Sequence, residues 1–348
     1  MKFKGFMLIF CVLAASVYLS IHCFFKYINY TLPVAAAPLT PLNTNTTTPN
    51  NENKPSSQKN ENKENVSSSF SSSETKSTTA SVSGQAVGNI TEKFISPYTA
   101  GTKYNKVYLK NNTGSKIDIK SLIDKKLSIK IAKNTKPQVL IMHTHTTESF
   151  MSDGRDYYTE KDAWRTRDSK KNMIAIGDVI EQKLKAAGIG VIHDTTIHDY
   201  PAYSGSYTRS AATVKADLKA YPSIKIVIDI HRDSITADNK DKIKPVVKID
   251  GKNAAQVMLV MGSQTGGITN YPNWKENLSL ALKYQQTLEV MYPGLARAVT
   301  LNSGKYNQNL SKGSILLEVG TEANTLDEAK RGAAYAGDAL VSLLNTLK

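Results

Sequence analysis

Three short apolar runs in this chain each stop abruptly at histidine or carboxylate side chains, and no other feature limits its fold as strongly. Val139-Leu140-Ile141-Met142 gives way to His143-Thr144-His145-Thr146-Thr147-Glu148-Ser149. Ile224-Lys225-Ile226-Val227-Ile228-Asp229-Ile230 gives way to His231-Arg232-Asp233-Ser234, and Ser314-Ile315-Leu316-Leu317 to Glu318-Val319-Gly320. Apolar runs this short read as core strands. Imidazoles and carboxylates at their exits are the groups that hold a metal or move a proton.

The segments between the runs carry helical periodicity. Met173, Ile176, Ile180 and Leu184 fall on one face of a helix beginning near Ser169, with Gly188 beyond its end. A strand at Gly190-Val191-Ile192 and a helix over 210–221, stopped by Pro222, lead to the Ile224 strand. This βαβαβ order predicts an α/β fold, a mostly parallel twisted central sheet flanked by helices. Pro245 to Ile249 and Val257 to Met261 read as two more strands, a hairpin about Asp250-Gly251. A long helix from Trp274 to Met291, a strand from Arg297 to Leu301 and a last helix from Thr325 to Leu347 follow. Open α/β sheets bind ligands beyond the carboxyl ends of their strands, so His143, His145, His231 and Glu318 should share one rim.

The remainder of the chain sets the context. Lys2 and Lys4 precede an apolar stretch from Gly5 to Phe25, long enough to span a bilayer and longer than the apolar core of a cleaved signal. Residues 1–26 therefore read as a transmembrane anchor with a cytoplasmic N-terminus. Residues 27–94, rich in Ser, Thr and Asn, read as a disordered linker with a reach of roughly 40 Å, and residues 95–348 as the extracytoplasmic catalytic domain. Both cysteines, Cys11 and Cys23, lie in the apolar stretch. The exported part thus has neither disulfide nor thiolate ligand, and any zinc there must use His, Asp or Glu. The net charge of +14 suits an anionic wall polymer or membrane surface. No nucleic-acid motif accompanies it, so no nucleic-acid partner is expected.

A catalytic zinc keeps three protein ligands and an open position, while a carboxylate nearby moves the proton. His145 and His231 are the ligand candidates and Glu318 the base. Strand alternation turns His143 the same way as His145, as a further ligand or a group orienting it. Asp168 and Glu148 compete for the third ligand position, with Glu160 and Asp162 behind them. Arg232 offers a planar fork to a substrate carboxylate, or pairs with Asp229 or Asp233. His193 and His198 lie on a loop that either lines the cleft or is plain surface.

The His143–Ser149, Asp229–Ser234 and Leu316–Gly320 segments resemble the signature segments of the stage II sporulation protein P family. That family is similar to the zinc-dependent N-acetylmuramoyl-L-alanine amidases. The resemblance covers most of residues 95–348 and implies Zn2+ as cofactor. It also implies His145, Asp168 and His231 as metal ligands and Glu318 as the catalytic residue. Asp168 stands where the wider family carries Glu, and the first histidine lacks flanking glycines. The implied reaction is cleavage of the amide between N-acetylmuramic acid and the L-alanine of the stem peptide, with endopeptidase action on crosslinks, in the septal wall during forespore engulfment. Implied partners are peptidoglycan, the membrane, and stage II sporulation proteins D and M, with the catalytic domain on the mother-cell side of the sporulation septum. A wall-binding or scaffolding module with a vestigial site is the alternative.

Overall fold

Alternation along two strands decides the layering. In β4 (Val139–Met142), Val139 and Ile141 enter one apolar cluster while Leu140 and Met142 enter another. In β7 (Ile226–Asp233), Ile226, Ile228 and Ile230 join the larger cluster and Val227 the smaller. Both faces are covered, which is why both strands read as unbroken apolar runs. The structure is a computed structural model that describes residues 84–132 and 134–347. Within them an eight-stranded sheet has the order β2 (Thr102–Tyr104), β3 (Val107–Asn111), β11 (Val299–Ser303), β10 (Val257–Ser263), β12 (Ser314–Thr321), β7, β4, β6 (Val191–His193). The pairs β3–β11, β11–β10, β12–β7, β7–β4 and β4–β6 run parallel. Only β2–β3 and β10–β12 run antiparallel. The α/β fold and its mostly parallel sheet are as expected.

Helices α2 (Met173–Ala186), α4 (Trp274–Met291) and α5 (Leu326–Asn345) cover the larger cluster. Met173, Ile176, Ile180 and Leu184 form the buried stripe of α2, as their spacing predicts. Ala329, Ala333, Ala336 and Gly337 keep the buried side of α5 thin enough for α2 to approach. Ile180, fully buried between them, is where truncation to Ala would cost about 2–5 kcal/mol. Thr325 caps α5 in a reciprocal box with Glu328. The opposite face is covered through Val214 and Leu218 of α3 (Ser206–Ala220).

Several expectations change. Residues 27–94 are not linker throughout, because β1 (Ala86–Lys93) begins inside that range. It pairs with β5 (Tyr157–Thr159) and β8 (Lys242–Ile249), and β8 with β9 (Lys252–Ala255), in a second sheet of order β5-β1-β8-β9. Only Ile90 of β1 is buried, so no apolar alternation announces it. The turn at Asp250-Gly251 joins β8 to β9, not to β10, which lies in the main sheet. Helix α2 starts at Met173, capped by the Asn172 side chain, not near Ser169. Strands β7 and β12 continue through His231 and Glu318 rather than ending before them. The expected anchor, residues 1–26, and most of the expected linker lie outside the described residues. No helix among the described residues is long and apolar enough to cross a membrane.

Candidate active site

Parity and register bring His231 and Glu318 together. Strands β7 and β12 are parallel neighbours with Glu318 opposite His231. Ile230 on β7 and Leu317 on β12 point into the larger core, so the next residue on each strand points to the α3 side. Asp229, two residues before His231, shares that side.

His145 reaches the same place from a turn. The chain leaves β4 after Met142, and Thr146 Oγ1 holds the turn by donating to the His143 and Thr196 carbonyls, at 2.9 and 2.8 Å. The His145 ring stacks on Tyr203 at 4.4 Å and 12°, and meets the edges of Tyr207 and His231 at 5.7 and 5.2 Å. His143 does not share its direction. It lies just past the end of β4, its Nδ1 3.0 Å from the Ile230 carbonyl and its Nε2 2.8 Å from His193 Nε2. Alternation held only to the end of the strand, and the turn rotated His145 away from it.

Electrostatics mark these residues further. Burial, aided by His231, lowers His145 to about 4; burial lowers His143 to about 3. Burial also works against a charged His231, but Asp229, with Oδ1 2.8 Å from His231 Nε2, overrides it and raises that ring to about 10. Asp229 is held by the Thr144 N–H and hydroxyl, at 2.8 and 2.6 Å. Despite burial, His231 and these bonds keep its carboxyl below its ordinary value. Burial raises Glu318 to about 8, against the pull of His231, and raises Glu148 as well. Glu148 Oε2 stands 3.9 Å from His231 Nδ1 and accepts the Arg232 N–H at 3.2 Å.

Six buried side-chain polar atoms among the described residues lack an aligned hydrogen-bond partner, and three of them are His145 Nδ1, His231 Nε2 and Glu318 Oε2. The 2.8 Å approach of Asp229 to His231 is therefore a charge contact out of line with the ring nitrogen. Unpartnered buried polar atoms are costly and call for an explanation; here they converge on three residues that the sequence alone marks for chemistry. The donors are not yet gathered as a metal would hold them. The single trio of such atoms within 4.8 Å of one another among the described residues is Asp178, Glu181 and His193.

Other expected residues fall elsewhere. Asp168 is exposed: its carboxylate accepts the Lys170 N–H at 3.0 Å and faces Lys171 at 3.8 Å, which makes it a turn cap on the surface. Arg232 is buried and committed. Its guanidinium donates to the Ser149 and Trp164 carbonyls at 3.0 and 2.9 Å, so it clamps the 149–164 segment to β7 instead of offering a fork to substrate. Arg155 draws Asp162 into an ion pair, and Glu160 is exposed. His198 is a buried brace between the His143 carbonyl and Thr213 Oγ1, at 2.7 and 2.8 Å. Nothing in the sequence pattern pointed to Arg165, whose half-exposed guanidinium pairs with Asp199 at 2.6 Å, reaches Glu148 at 3.5 Å and covers Tyr203 at 4.7 Å. Nor did it flag Tyr203, the exposed ring lying on His145. A cavity of about 700 Å3 lies between Trp164, Lys171 and Arg331, and none of His145, His231 and Glu318 lines it.

An α/β domain with imidazoles and carboxylates converging on the side of two central strands belongs to a class that can carry a metal-assisted or acid–base site there. The family model described as "Stage II sporulation protein P (SpoIIP)" matches residues 17–341. The chain belongs to the stage II sporulation protein P family. Stage II sporulation protein P of Bacillus subtilis (strain 168) is 34% identical over 214 residues, which are 58% of this chain and 50% of that protein. The chain thus spans about half the length of that curated relative. Similar solved structures include the N-acetylmuramoyl-L-alanine amidase AmiC2 of Nostoc punctiforme, at 14% identity and a TM-score of 0.36, covering 61% of this chain and 97% of that one. The CwlD amidase from Clostridioides difficile, solved in complex with the GerS lipoprotein, matches at 12% identity and a TM-score of 0.37, covering 60% and 99%.

Proposed function

We propose that this chain is a zinc-dependent peptidoglycan amidase. It would cut the amide between N-acetylmuramic acid and the L-alanine of the stem peptide, and act also on peptide crosslinks, in the septal wall during engulfment. Family membership supports a wall-directed role in sporulation. The observation that carries the chemistry is the meeting of two unpartnered buried atoms, His145 Nδ1 and Glu318 Oε2, with the buried His231–Asp229 pair.

The donor chemistry fits zinc: imidazole nitrogens and a carboxylate, with no thiolate. His145, His231 and Glu148 would hold it, and Glu148 replaces Asp168, which is occupied on the surface. Asp229, against the Nε2 side of the His231 ring, would fix that ring's tautomer and orientation. Zinc bound there supplies polarisation of the amide carbonyl and a water acidic enough to react near neutral pH. Glu318 Oε2, buried and opposite His231 on the neighbouring strand, would be the proton-moving atom. Arg165 presents its charge at the cleft, where an anionic stem peptide would meet it. Residues 1–26 as anchor, the linker as tether, the septal location and stage II sporulation proteins D and M as partners belong to the same proposal.

The test is hydrolysis of purified peptidoglycan with chelator and with zinc restored, the fragments identified by mass spectrometry. Stem peptides carrying a free L-alanine amine are expected only with metal. Full activity after exhaustive chelation would remove zinc from the mechanism. Wall binding with no fragments released would make the chain a binding module.

A further inference from the structure

On the large-core side of the sheet, a second group of metal-ligand side chains meets at its edge. Asp178 and Glu181 come from α2 and His193 from the end of β6. His193 Nδ1 lies 3.2 Å from Asp178 Oδ1 and 3.9 Å from Glu181 Oε2, and the three ligand atoms are all within 4.8 Å of one another. A spacing of three residues puts both carboxylates on one face of the helix.

The His193 ring is fixed from behind. Its side chain is only 3% exposed. Its Nε2 is 2.8 Å from His143 Nε2, and His143 Nδ1 is 3.0 Å from the Ile230 carbonyl. A carbonyl can only accept, so His143 Nδ1 carries the proton. In neutral His143 the Nε2 is then the acceptor of the Nε2–Nε2 contact. His193 must then donate from Nε2, which leaves Nδ1 as its available atom. In that tautomer the ring aims a lone pair at two carboxylates, 3.2 and 3.9 Å from Nδ1. A divalent cation among the three atoms turns that repulsion into coordination. Metal-bound histidines usually donate their other ring N–H to an acceptor, as His193 does here. The helix also makes room for the ring. A Cβ on Gly177 would stand 2.4 Å from His193 Nε2 and 3.0 Å from His143 Nε2, so the ring occupies space that only glycine leaves, at a position where glycine weakens the helix.

We propose that Asp178, Glu181 and His193 form a divalent-cation site distinct from the His145–His231–Glu318 cluster. It would take a borderline ion such as zinc or manganese through one imidazole nitrogen and two carboxylate oxygens, with water completing the shell. Asp178 is half exposed, so the ion enters from solvent. From the ion, His193 and His143 lead to the Ile230 carbonyl of β7, one residue before His231.

The test counts zinc bound by the dialysed full chain, by calorimetry and elemental analysis, and does not use amidase activity. Asp178→Asn/Glu181→Gln should bind one equivalent fewer than the parent chain. The equivalent it lacks should be the one that persists in His145→Ala/His231→Ala. These helix-surface changes should leave the melting temperature of the metal-free chain unchanged while abolishing its rise at saturating zinc through this site. An unchanged zinc count in Asp178→Asn/Glu181→Gln would overturn the proposal. So would an NMR spectrum in which His193 carries protons on both ring nitrogens and does not respond to added zinc. Failure of peptidoglycan hydrolysis would count against the amidase reading alone and leave these readouts standing.

Discussion

His145 and His198 are both buried histidines at the carboxyl end of the sheet, yet they live in opposite ways. Both nitrogens of His198 are committed, to the His143 carbonyl and to Thr213 Oγ1, and it holds two loops together. His145 keeps Nδ1 unpartnered, as does Glu318 at Oε2. Buried polar groups normally find partners, so satisfaction separates scaffold from chemistry here better than residue type does. Arg232 and Arg165 repeat the contrast. The first spends its guanidinium on backbone carbonyls, while the second stays half exposed beside Glu148 and Tyr203.

Substitutions can break or sharpen that contrast. The largest effect should come from Glu318→Gln, with peptidoglycan turnover falling by about 10²–10⁴-fold, the scale of a lost general acid–base group. Its melting temperature should stay near that of the parent, because glutamine resembles the protonated carboxyl that burial favours in the metal-free fold. A wild-type rate would put Glu318 among the scaffold residues. Next comes Asp229→Asn, which leaves the His231 imidazolium buried without its counter-charge. Breaking a buried pair of this kind costs about 3–5 kcal/mol, read from denaturant unfolding of the metal-free chain. Arg232→Met should lower stability by about 2 kcal/mol through its lost charged hydrogen bonds. In the same variant KM should hold, since that guanidinium faces carbonyls and not the cleft; a large KM rise with stability intact would restore it as a substrate fork. The smallest effect belongs to Asp168→Ala, within about 0.5 kcal/mol as for other surface changes, with zinc content and turnover unaltered. Loss of zinc in that variant would return Asp168 to the ligand set.

Much of the architecture could be read directly from the apolar pattern. β4 and α4 follow their expected limits, and Thr325 caps the last helix as its position predicts. Strand β1 could not be read, because a strand with one buried residue carries no alternation, and its partners lie far along the chain. Of the site, His145, His231 and Glu318 were legible because histidine or glutamate after an apolar strand is conspicuous. Asp168 caps a surface turn, and the sequence could not separate that from a ligand role because an acid just before a helical stretch serves equally as either. Asp229 was overlooked as a partner of His231, although its position two residues earlier on one strand puts both on one face.

The sequence by itself determined the α/β class, the strands that bear His231 and Glu318, and the absence of cysteine from residues 24–348. These follow from side-chain periodicity and composition, which are local properties. Tertiary structure alone decided that Glu318 lies opposite His231, that His145 turns away from His143, and that Glu148 lies beside His231 while Asp168 lies at the surface. Register between strands distant in sequence, and the path of a turn after a strand ends, depend on what packs against them. No window of neighbouring residues contains that information.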